Sequence, residues 1–74
     1  MGDHKGFTVV LRGYDTDEVD ALVERVHEAG ASTDGALRAA VRAELSGADL
    51  PVRLRGYDRE AVDDYLRRAV DRLA

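Results

Sequence analysis

Hydrophobic positions along the chain switch between two periods, and the switches mark its elements. Phe7-Thr8-Val9-Val10 and Leu50-Pro51-Val52-Arg53 are short apolar-rich stretches without helical spacing, and they read as extended segments. Val19, Leu22, Val23, Val26 and Ala29 follow a 3.6-residue rhythm, as do Val62, Tyr65, Leu66, Ala69, Val70 and Leu73. Between them, Leu37, Ala40, Val41, Glu44 and Leu45 predict a shorter helix with a narrower apolar stripe. Gly30 and Gly47 end the first and second helices, Asp15 and Asp58 stand where N-caps belong, and Ser32 to Asp34 offers an N-cap for the second helix. Asp15-Thr16-Asp17-Glu18 has the spacing of a capping box, in which Asp15 accepts a free backbone N–H and Glu18 reaches back. Tyr14 with Val19, and Tyr57 with Val62, have hydrophobic-staple spacing. In the second capping sequence Ala61 replaces the glutamate, which predicts a weaker cap. Asp63–Arg67 and Asp64–Arg68 have the i,i+4 spacing of helical ion pairs. Met1 to Gly6 reads as a frayed tail.

The elements repeat. Leu11-Arg12-Gly13-Tyr14-Asp15 recurs identically as Leu54-Arg55-Gly56-Tyr57-Asp58, 43 residues later. An extended segment precedes each copy, and a helix opening with Val-Asp (Val19-Asp20, Val62-Asp63) follows it. An internal repeat outranks other signals. The 74 residues therefore form one small domain: repeat one at 7–30, a linking helix at 32–46 and repeat two at 50–74. The expected fold is mainly α, with three short helices and two short extended segments. If the helix-two hairpin reverses the chain, the repeats can pair around a pseudo-two-fold axis. The expected core is Val19, Leu22, Val23, Val26, Leu37, Val41, Leu45, Val62, Tyr65, Leu66, Ala69 and Leu73, with Tyr14 and Tyr57 at its edge.

Composition narrows the function. There is no cysteine, so disulfides and thiolate metal sites are excluded. Domains this small without staples often complete their core by oligomerising, which favours a homo-oligomer. The formal charge of −4 argues against nucleic-acid binding, which needs a basic footprint. No apolar run reaches membrane-spanning length, and the N-terminus lacks a charged-then-apolar export signal, so the expected compartment is the cytoplasm. His4 and His27 have no partner at metal spacing, and Ser32 and Ser46 look like cap or turn residues. No cofactor and no enzymatic activity are expected.

The string Leu-Arg-Gly-Tyr-Asp, three residues, then Val-Asp resembles the N-terminal domain of DivIVA-type proteins, bacterial peripheral-membrane scaffolds of division sites and growing poles. The family pattern is an aromatic, a hydrophobic-Arg-Gly-Tyr-Asp element and Glu-Val-Asp opening a helix. Here it reads Phe7, Leu11 to Asp15, Glu18-Val19-Asp20, and again Leu54 to Asp58, Ala61-Val62-Asp63. The two copies cover about two thirds of the chain. The resemblance implies that Leu11 and Leu54 enter the lipid interface while Arg12 and Arg55 meet anionic headgroups at the inner membrane face, with Arg53 reinforcing the second loop. It further implies a scaffold of cell division or polar growth, whose partners are itself or other cell-division proteins. The chain departs from the family in three ways: leucine stands where the membrane-binding members have phenylalanine, a long coiled coil is missing, and one chain supplies both copies. The last suggests that the repeat replaces a dimer in cis.

Local chemistry offers plainer roles. Gly13 and Gly56 supply a backbone conformation that other residues avoid, Tyr14 and Tyr57 are staples, and Asp15 and Asp58 are caps. Alternation places Val9 and Leu11 on one side of a strand, so Leu11 and Leu54 are either core residues or exposed anchors. Arg12 and Arg55 either bind headgroups or pair with Asp15, Asp20, Asp58 or Asp63. Asp20 and Asp63 are expected to bond to the opposite repeat's arginine. A soluble protein–protein adaptor without lipid binding is the alternative function, favoured if Leu11 and Leu54 are buried.

Overall fold

The computed structural model of the protein describes Asp3, His4 and Gly6 to Ala74, the side chains from Gly6 onward. In chain order the elements are β1 (Asp3–His4), β2 (Phe7–Tyr14), α1 (Thr16–Gly30), α2 (Gly35–Ser46), β3 (Val52–Tyr57) and α3 (Arg59–Leu73). Helices dominate, as the periodicity predicts. Part of the expected frayed tail is structured: β1 pairs antiparallel to β2, Asp3 opposite Thr8 and His4 opposite Phe7, with Gly6 turning the chain at φ 86°. Gly6 is free to take that left-handed conformation because it has no Cβ. Met1, Gly2 and Lys5, also assigned to the tail, lie outside the described residues.

Each helix buries its apolar stripe. Val19, Val23, Val26 and Ala29 of α1, Val41 and Leu45 of α2, and Val62, Leu66, Ala69 and Leu73 of α3 form one core with Phe7 and Tyr57. The core is deeper at its aromatic end than expected. Tyr57 is fully buried rather than at the edge, and its ring lies 5.3 Å from Phe7, which meets Tyr65 edge-on at 5.5 Å. Such tilted contacts suit the quadrupoles of aromatic rings. Leu22, Leu37 and Tyr65 pack against the core but stay half-exposed.

Asp34 caps α2, its Oδ1 accepting the Ala36 N–H at 3.0 Å. The Arg38 guanidinium donates to the carbonyls of Ala29, Ser32 and Arg72, satisfying acceptors at the C-terminal ends of α1 and α3 and tying α2 to both. A two-bond fork from Arg25 to Glu44 joins α1 to α2 on the surface and holds the Glu44 carboxyl below its ordinary range. On α3, Asp64 takes both Arg67 and Arg68. The expected Asp63–Arg67 pair is not formed, because Asp63 is engaged elsewhere.

Candidate functional site

The two repeated strings meet. β2 and β3 form a parallel pairing whose register shifts at every step, yet its Cα partners run in opposed order: Val9 with Tyr57, Val10 with Gly56, Leu11 with Arg55, Gly13 with Arg53, Tyr14 with Val52, and Tyr14 again with Tyr57. Tyr14 thus sits beside both Val52 and Tyr57. Five extended residues would separate those two by about 16 Å, so the 52–57 segment bends back on itself. Tyr57 sits beside both Val9 and Tyr14, so the 9–14 segment bends too. The pair is therefore two crossed loops, and Arg12, at φ 61°, supplies the left-handed step in the first.

The loops cross at their glycines. A Cβ on Gly13 would lie 2.3 Å from the Gly56 carbonyl carbon, and one on Gly56 would lie 2.1 Å from the Tyr14 carbonyl oxygen. The expectation that these glycines supply an unusual backbone conformation is corrected: Arg12 takes that conformation, and the glycines permit close approach.

Each loop is fastened to the other repeat's helix. The Tyr14 hydroxyl donates to Asp63 Oδ1 at 2.8 Å, and the Tyr57 hydroxyl donates to Asp20 Oδ1 at 2.9 Å. The two aspartates therefore reach the opposite repeat as expected, but bond there to its tyrosine. Desolvation, then the Asp20 bond, push the Tyr57 hydroxyl up to about 12; the same causes raise Tyr14, with Asp63 as the acceptor. The backbone makes a matching exchange. Asp15 N–H donates to the Pro51 carbonyl and Asp58 N–H to the Thr8 carbonyl, both at 2.9 Å.

That exchange corrects the capping box. Asp15 Oδ1 does accept the Glu18 N–H at 3.1 Å, but the Asp15 N–H is taken by Pro51 rather than by Glu18. Asp58 stands at the N-cap of α3 with no side-chain cap bond. Arg53 Nε donates to Asp15 Oδ2 at 2.9 Å, and this bond, followed by the Glu18 N–H, holds the Asp15 carboxyl below its ordinary range. The site in repeat one that corresponds to Arg53 is Val10, so Asp58 has no matching cation.

Beyond the crossing, the loops end in solvent. Leu11 is 67% exposed, Leu54 76% and Val52 45%, the large apolar side chains left uncovered among the described residues. Arg12 and Arg55 are exposed beside them, with no hydrogen-bond or ion-pair partner among the described residues. Because Leu11 pairs with Arg55, the tips lie side by side. The alternation that would set Leu11 with half-buried Val9 fails: the pairing register shifts between Val9 and Val10 and again between Val10 and Leu11, and Leu11 is exposed. Residues 11, 12, 54 and 55 thus form one apolar, cationic surface, while residues 13 to 15 and 56 to 58 build its base. Val52 is an addition that sequence reasoning missed; its position after Pro51, in a segment taken as extended, carried no sign that it faces out.

Among the described residues no group of three or more His, Cys, Asp or Glu is placed to hold a metal. None of their helices is long and apolar enough to cross a membrane. Comparison with known proteins finds no matching family, no matching characterised protein and no matching solved structure.

Proposed function

We propose that this chain is a non-enzymatic, DivIVA-like interaction module that docks on the inner face of a bacterial membrane through its paired loop tips, in the service of cell division or polar growth. The carrying observation is the exposure of Leu11 and Leu54 beside Arg12 and Arg55, which have no partner in the described chain. An apolar side chain flanked by a cation gains from acyl-chain burial and from the negative surface potential, each arginine contributing about 1 kcal/mol. The left-handed Arg12 supports the reading, because such strain is retained where a side chain must be aimed. The adaptor alternative would be favoured by buried leucines, and both are exposed.

The repeats, in this reading, are related by a pseudo-two-fold axis through the Gly13–Gly56 crossing, and one chain does in cis what two chains do in a dimer. Supporting it, Tyr14–Asp63 and Tyr57–Asp20, like Asp15–Pro51 and Asp58–Thr8, interchange under the same 43-residue offset. Two tips held on one rigid crossing also bind with the advantage of a single, prepaid ordering step.

Co-sedimentation with anionic and neutral vesicles tests the proposal. The native chain is expected to pellet with anionic vesicles only, and a Leu11→Ser, Leu54→Ser variant with unchanged circular dichroism is expected to stay in solution. A native chain that ignores anionic vesicles would overturn it.

A further inference from the structure

The tips are not the only uncovered surface. Two clefts of about 390 and 420 Å³ flank the 47–51 loop and share Ala48 and Leu50. Each falls within the size range of small-molecule sites. Half-exposed Leu22, Leu50 and Val70 line them, giving a broken apolar band across the helical body. Its rim is acidic. Glu18, Asp49 and Asp71 line it, exposed and with no side-chain hydrogen bond or ion pair among the described residues, while the rim cations Arg25 and Arg67 are already paired with Glu44 and Asp64.

An occupant of this groove needs apolar side chains and accessible positive charge on a protrusion. The chain itself carries one: Leu11, Val52 and Leu54 with Arg12 and Arg55. The exposure of both leucines shows that neither tip lies in its own chain's groove. We propose that the loop tips of one copy seat in the acid-rimmed groove of a second copy. Two different patches then meet, so the contact is heterologous, and each added copy leaves a free tip and a free groove. Because the tips are those assigned above to the membrane, lipid and self-association compete for them; the groove takes no part in lipid docking, and the contact requires no lipid.

Sedimentation velocity without lipid tests this, from low micromolar to millimolar protein. The native chain is expected to associate with rising concentration, and to do so about tenfold less tightly in about 1 M salt, where charges are screened beyond about 3 Å. A tip variant, Leu54→Ser, and a groove variant, Asp49→Arg with Asp71→Arg, change only exposed side chains and are each expected to remain monomeric. Mixing them is decisive: an intact tip meets an intact groove, so a one-to-one heterodimer forms and growth stops there. A native chain that stays monomeric throughout, or a mixture that sediments as its separate parts, overturns the proposal. The groove variant keeps both tips and pellets with anionic vesicles if the docking reading holds, so the two proposals fail separately.

Discussion

Alanine at Gly56 drives a Cβ into the backbone of the opposite loop. The added Cβ would sit 2.1 Å from the Tyr14 carbonyl oxygen and 2.6 Å from the Gly13 carbonyl carbon, against the 3.4 Å at which ordinary contact begins. The nearer contact is therefore 1.3 Å too short, and both obstacles are backbone. Relief requires the loops to separate. Separation stretches the Tyr57–Asp20 and Asp58–Thr8 bonds, each 2.9 Å, and opens a gap beside the fully buried Tyr57 ring. Overpacking alone costs about 1–3 kcal/mol, and two weakened hydrogen bonds add about 1 kcal/mol each. The expected loss is about 3–5 kcal/mol, where a chain of this length has a total stability of about 4–11 kcal/mol. Urea unfolding followed by circular dichroism measures it, with a fall in Tm of at least about 12 °C as the thermal counterpart. Gly30→Ala is the control: nothing lies within 4 Å of its Cβ and the residue is helical, so a gain of about 0.5–1 kcal/mol is expected. If Gly56→Ala unfolds within about 0.5 kcal/mol of the native chain while the control behaves, the crossing does not hold the fold together.

Four other substitutions probe the same end of the molecule. Arg12→Gly relieves a left-handed backbone that disfavours side chains, so stability is expected to rise by about 0.5–1 kcal/mol while anionic-vesicle binding falls; a loss of stability on urea unfolding would refute the strain. The Tyr57 hydroxyl, raised from the usual 10.0 to about 12, keeps its proton longer in the folded state. Its contribution is therefore complete below pH 10 and is lost as pH climbs toward 12, so Tm should decline over that window, less steeply in Tyr57→Phe, and an equal decline in both chains would refute the assignment. Asp15→Ala removes an acceptor used by Glu18 N–H and Arg53, whereas Asp58→Ala removes one with no cap bond; the first is expected to lower Tm clearly more than the second, and equal shifts would contradict the asymmetry.

The helices were legible because their apolar positions recur over several turns and their ends carry aspartate and glycine. What escaped depended on distance. Nothing near Asp15 announces that its N–H belongs to Pro51, so the local partner, Glu18, was the natural inference. Tyr57 has the spacing of a staple at a helix start, yet its ring is buried in the core against Phe7, 50 residues earlier. Leu11 is ambiguous in the sequence because period-two reasoning presumes an unbroken strand, whereas the register shifts between Val9 and Leu11 and the side chain ends exposed. Repetition, and the resemblance built on it, single out the candidate site residues without saying which of them face solvent.

The exchanged backbone bonds bear on how the chain folds. The N-cap residue of α1 is anchored to a carbonyl before β3, and the N-cap residue of α3 to a carbonyl in β2. In stacked repeat proteins each unit leans only on its neighbours and ordering can spread from any point. Here each copy finishes the other, across separations of more than 35 residues. Neither copy is expected to act as a foldon, since loop closure over that distance must precede the contacts that reward it. The chain should therefore fold in a single all-or-none step, more slowly than a three-helix bundle of its size, and a cut between α1 and α2 would give two fragments that gain structure only together.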